Sequence, residues 1–62
     1  MNLKLKAKRI EKGFTQSDFA KQLGIATNTY NRYELGKADM PGKIIKEILR
    51  ILDCKFEDIF TI

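Results

Sequence analysis

Glycines at positions 13, 24 and 36 and a proline at 41 cut this chain of 62 residues into segments of short-helix length. The first segment runs from about Leu3 to Lys12, with Leu3, Ala7, Ile10 and then Phe14 at helical spacing. Gly13 ends it where a left-handed C-terminal cap is wanted, after a Lys-rich last turn that suits the helix dipole. Thr15-Gln16-Ser17-Asp18 looks like the next helix start. Thr15 can accept from a first-turn N–H and Asp18 can answer back, a capping box with Asp in place of Glu. Phe19, Ala20 and Leu23 face inward, and Gly24 closes the second helix. The third starts at Ala26 or Thr27 and runs to about Leu35. Pro41, at a first helical position, opens a fourth helix whose Ile44, Ile45, Ile48, Leu49 and Leu52 form a wide apolar stripe. Asp53 breaks it, and Phe56, Ile59 and Phe60 give a last short helix. No segment alternates with period two, and no repeat, linker or low-complexity tract interrupts the series. The expected class is all-α, in one domain spanning 1–62.

Composition narrows what such a domain can do. At 44% apolar residues the chain is globular in character, but so short a chain buries only ~60% of its unfolded surface. It has no His and one cysteine, Cys54, which excludes a disulfide within the monomer and an ordinary zinc site. The commonest general base is missing too, so no catalytic residue, cofactor or metal is expected. Glu57 and Asp58 read as solvated helix-end charges, and Cys54 as a small buried hydrophobe rather than a sensor. Apolar residues never adjoin in runs of more than two, so neither a membrane span nor a signal segment is expected. The expected location is the cytoplasm.

Charge points to a partner. Met1 to Lys37 carries eight basic and three acidic residues, a net of +5, whereas Ala38 to Ile62 carries four and five. A basic first half on a chain too small for an enzyme suits a polyanion.

The stretch Gln16 to Leu35 holds two short helices about a turn containing Gly24. Ile25 can pin that corner from inside, and Ala20 is small enough to let the helices approach. This is helix-turn-helix spacing, a geometry that pushes its second helix into a major groove. At about 100° per residue, Thr27, Asn28, Asn31, Arg32 and Leu35 fall within one arc of roughly 140°, and Ala26, Tyr30 and Tyr33 lie opposite. Asn can bond adenine bidentately, Arg can fork onto guanine, and Thr offers a hydroxyl or a methyl. An ordinary solvated face would more usually carry Glu and Lys.

These elements, in this order and at these gaps, make the chain resemble the phage-repressor and Cro-type helix-turn-helix family. The likeness is carried by Lys8-Arg9-Ile10, Phe14-Thr15-Gln16, Phe19-Ala20, Leu23-Gly24-Ile25, Tyr30-Asn31-Arg32-Tyr33-Glu34, Gly36-Lys37, Pro41, the Ile44 to Leu52 stripe and Phe56 to Phe60. The resemblance implies a compact five-helix, lambda-repressor-like domain that binds operator DNA, usually as a two-fold dimer, and regulates transcription. Gln16 matches a residue that touches a phosphate and braces a recognition-helix side chain. Thr15 beside it and Lys37 are placed with the phosphate contacts. Thr27, Asn28 and Arg32 match base-facing positions, and Asn31 either joins them or bonds a backbone oxygen. Arg9 and Glu34 match an internal ion pair between the first and third helices, a role that Arg fills better than Lys because it can bond a carboxylate bidentately.

Three positions depart from the family's pattern. Tyr30 and Tyr33 replace aliphatic residues and read as core with hydroxyls at the rim, one of them within reach of a phosphate. Ala26 stands where Ser or Thr caps are common, so Thr27 either caps the helix or reads bases. Asp53 replaces a frequent Gly, although Asp tolerates a left-handed backbone less well. The function expected is a sequence-specific double-stranded DNA-binding repressor of prophage or mobile-element type, reading a palindrome as a homodimer. The dimer contact is expected at the C-terminal helices, where Phe60 and Ile62 have few partners. The alternative is an antitoxin-like or anti-repressor-like interaction module that keeps the fold. No small-molecule ligand is expected in either case.

Overall fold

In the computed structural model, which describes residues 1–60, five helices follow one another: α1 (Leu3–Glu11), α2 (Gln16–Leu23), α3 (Thr27–Leu35), α4 (Gly42–Leu52) and α5 (Phe56–Ile59). Each boundary has a local cause. Asn2 caps α1, its Oδ1 accepting from the Leu5 N–H at 3.0 Å. Thr15 does the same for α2, its hydroxyl accepting from the Asp18 N–H at 3.0 Å. Asp18 does not return the bond among the described residues, so the expected capping box is only half formed. Pro41 stands at the N-cap of α4, one residue before the first helical position expected for it. At the far end of α4, Asp53 takes up the left-handed conformation itself, with φ 51° and ψ 54°.

The core is built from all five helices: Leu5 of α1, Phe19, Ala20 and Leu23 of α2, Tyr30 of α3, Ile44, Ile48 and Leu52 of α4, and Ile59 of α5. Phe14, Ile25, Tyr33, Met40, Leu49, Ile51, Cys54 and Phe60 pack around its margin. Phe19 lies between two other rings, 5.3 Å from Phe14 and 5.2 Å edge-on to Tyr30. The first contact is tilted and the second T-shaped, and neither is the face-to-face sandwich that the ring quadrupoles disfavour. The inward residues of α2 and α4 are those that the apolar spacing predicts.

The spacing misleads in α1. Leu3 and Ile10 are 65% and 57% exposed, Ala7 is exposed as well, and the buried residues are Leu5 and Arg9. At about 100° per residue the two sets lie on nearly opposite sides of the helix. The inward side is set by Arg9, which is drawn into the interior by an ion pair, and Leu5 follows one turn earlier.

No helix among the described residues is long and apolar enough to cross a membrane. Phe56, half exposed, stacks on Phe60 with ring centroids 4.9 Å apart. Ile62, expected beside Phe60 in a dimer contact, lies outside the described residues.

Candidate nucleic-acid interface

The turn between α2 and α3 is made by Gly24, left-handed at φ 71° and ψ 29°. An L residue with a Cβ adopts that conformation only at a cost. The Gly24 N–H closes back on α2, and the Ile25 N–H bonds the Ala20 carbonyl at 3.0 Å. Ile25 then packs against the core from the inside of the corner, and Ala20, fully buried, lets α3 cross α2 closely. Gly36 ends α3 in the same left-handed form.

Beneath α3 lies a polar network that joins three helices. Arg9 Nε donates to Glu34 Oε2 at 2.7 Å, and Arg9 Nη1 donates to the Phe14 carbonyl at 2.7 Å. The Tyr30 hydroxyl donates to the same Glu34 oxygen at 2.6 Å. Gln16 Nε2 donates to Glu34 Oε1 at 3.2 Å, and Asn31 Nδ2 donates to Gln16 Oε1 at 3.1 Å. Arg9 and Glu34 are both buried, and among the described residues no buried side-chain polar atom is left without a partner. Burial pushes the Glu34 carboxyl up, but the bonds from Arg9, Tyr30 and Gln16 outweigh it and hold the carboxyl below its ordinary value. For Tyr30, burial comes first and the Glu34 charge adds to it, so its phenol is held well above the ordinary value and stays protonated.

The backbone adds a clasp, because the Asn2 N–H donates to the Glu34 carbonyl at 2.8 Å. Asn2 and the Tyr30 hydroxyl were not among the residues anticipated for this site. For Tyr30 the signal was available, since it precedes Glu34 by four residues and so shares its side of the helix. The Tyr30 hydroxyl is therefore not at the rim, as the sequence led us to expect, but buried on a carboxylate; Tyr33 is half-buried.

On the other side of α3, Thr27, Asn28 and Arg32 are exposed, and Asn31 is half-buried at the edge where it meets Gln16. The N-cap of α3 is Ala26 and has no side-chain bond, so Thr27 is the first helical residue and does not cap the helix. Lys37 is exposed just past α3, its N–H tied to the Arg32 carbonyl at 2.9 Å. Thr15 is exposed at the start of α2, next to the half-buried Gln16. Seven residues anticipated for DNA contact thus lie on α3, at its C-terminal end or at the start of α2. Cys54, between α4 and α5, is packed at the core margin with burial raising its thiol pKa, unlike a reactive thiolate.

A family profile described as helix-turn-helix matches residues 5–59. The chain belongs to the helix-turn-helix family. It is also 40% identical, over 60 residues, to an uncharacterised HTH-type transcriptional regulator of Methanocaldococcus jannaschii. That match covers 97% of this chain and 91% of the relative. No solved structure matches the chain. In broad class, this helix-turn-helix protein is a DNA-binding regulator of transcription. Its α2–turn–α3 unit is the part of the fold from which the family takes its name.

Proposed function

We propose that this helix-turn-helix domain, spanning 1–62, binds double-stranded DNA sequence-specifically and represses transcription, with α3 in the major groove. Thr27, Asn28, Asn31 and Arg32 read base edges, while Thr15, Gln16 and Lys37 hold phosphates on either side. The observation that carries this reading is the outer face of α3. Asn28 and Arg32 are exposed one turn apart, and their side chains make no hydrogen bond or ion pair with other described residues. Side chains of these types complement adenine and guanine edges, and the glycine-bounded helix that carries them is braced from behind by a buried network.

Two copies on a two-fold axis would place their recognition helices about one DNA turn apart and read a palindrome. The exposed ring of Phe56, stacked on Phe60, supports a contact between copies at the C-terminal helices. The protein acts in the cytoplasm, without cofactor or catalysis, in the manner of a prophage regulator. Selection of bound fragments from random duplex DNA tests this reading. A shared sequence with inverted symmetry is the expected result, and a pool that stays random overturns it. The exposed Leu3 and Ile10 favour a second reading, a protein-interaction module that keeps the fold, and a random pool would leave that reading standing.

A further inference from the structure

Gln16 stands between the buried ion pair and the recognition helix, and its amide has a donor at one end and an acceptor at the other. An ionised carboxylate can only accept hydrogen bonds. Glu34 therefore compels Gln16 to turn Nε2 towards it, at 3.2 Å. Gln16 Oε1 is left facing α3, where only a donor can meet it. Asn31 supplies that donor, with Nδ2 at 3.1 Å. The orientation of both amides thus follows from the charge on one carboxylate, which Arg9 and Tyr30 grip from the other side. With one N–H committed to Gln16, Asn31 keeps Oδ1 and a second N–H, neither bonded to any described residue.

We propose that Glu34 is a positioning residue for base recognition. Through Gln16 it fixes the Asn31 amide in one orientation, and Asn31 thereby selects adenine at one position of each half-site. The proposal rests on the assignment of α3 as the base reader. Adenine offers the N7 acceptor beside the N6 donor, and an amide presenting one donor and one acceptor in fixed order matches that pair. Guanine offers two acceptors, N7 and O6, and would set O6 against Oδ1. An amide free to turn over could give guanine its NH2 group alone, but one held by Gln16 cannot. Asn28 and Arg32 have no such brace, so their orientation is settled only on contact. Asn31 is oriented beforehand and has less side-chain freedom to lose on binding.

The test combines side-chain amide NMR on the free chain with selection from random duplexes. In the free protein, Gln16→Met is expected to move the Asn31 side-chain amide resonances to the position of a solvated Asn. Unmoved resonances overturn the relay whatever the DNA result. In the selection, Asn31→Ala identifies the base position that Asn31 reads. Gln16→Met is expected to relax that same position from an adenine preference of about tenfold or more to about twofold. Other positions should be kept, beyond any uniform weakening from a lost phosphate contact.

Weakening alone, with the adenine preference intact, overturns the proposal while leaving base reading by α3 in place. A wild-type pool without a shared sequence overturns the base-reading assignment and the proposal together, and the NMR result then shows by itself whether the relay exists in the free chain. Glu34→Gln paired with Arg9→Met removes the charge without stranding a guanidinium. It is expected to relax the same position, and retained adenine preference in that folded pair overturns the role of Glu34. If the pair does not fold, Glu34→Gln alone is put through the same selection, and retained adenine preference there overturns the role of Glu34.

Discussion

Asp53 holds a backbone conformation that most residues avoid, φ 51° and ψ 54°, at the C-cap of α4. For an L residue other than glycine the left-handed region costs roughly 1–2 kcal/mol, somewhat less for Asp and Asn. Asp53→Gly is therefore expected to stabilise the domain by about 0.5–1 kcal/mol, as read from the urea midpoint. An unchanged midpoint would mean that the unfolded chain gains as much freedom from Gly as the native turn does. The opposite sign is expected at Arg9 and Glu34. Removing one partner leaves the other buried and unpaired, so Arg9→Ala or Glu34→Ala alone should cost about 3–5 kcal/mol. The double substitution should cost less than the sum of the two. The same carboxyl makes stability depend on pH. Because its folded pKa lies below the ordinary value of 4.5, its contribution is present above that value and lost as pH falls through the lower folded one. Glu34→Gln should therefore flatten the acid limb of an unfolding curve measured against pH.

The helices differ in how plainly their sequences show their orientation. α2 and α4 face inward as their apolar spacing predicts, because Phe19, Leu23, Ile44, Ile48 and Leu52 are apolar and their faces contain no competing group. In α1 the residues Leu3, Ala7 and Ile10 form an equally regular stripe, yet they lie outside. The deciding partner of Arg9 is Glu34, 25 positions away, and periodicity within one helix cannot register it. The corner between α2 and α3 was legible because Gly24 has a single strong reading there. The polar face of α3 was legible as a pattern, but the engagement of Asn31 by Gln16 was not, since it depends on how two helices cross. Gly24→Ala tests the corner. A Cβ there would meet nothing within 4 Å, so the cost is conformational alone, roughly 1–2 kcal/mol by thermal unfolding. A much larger loss would show that the turn is also sterically tight.

For the whole molecule, the proposed function divides the work: the positive charge of the first half favours any duplex, and the outer face of α3 adds the choice of sequence. Affinity should fall steeply with salt, at a slope of about −0.9 per neutralised phosphate, and Lys37→Ala should make that slope shallower by about 1 while weakening all duplexes alike. A slope indifferent to Lys37 would take it out of the interface. Base reading by the exposed side of α3 is tested best at Asn28, because this side chain is uncharged and its loss leaves the electrostatic attraction intact. The measurement is the affinity of wild type and Asn28→Ala for the selected site and for an unrelated duplex at one salt concentration. If α3 reads bases, the substitution loses about 1–3 kcal/mol on the site and nothing on the unrelated duplex. Equal affinities of the two proteins for the site would contradict base reading by this face.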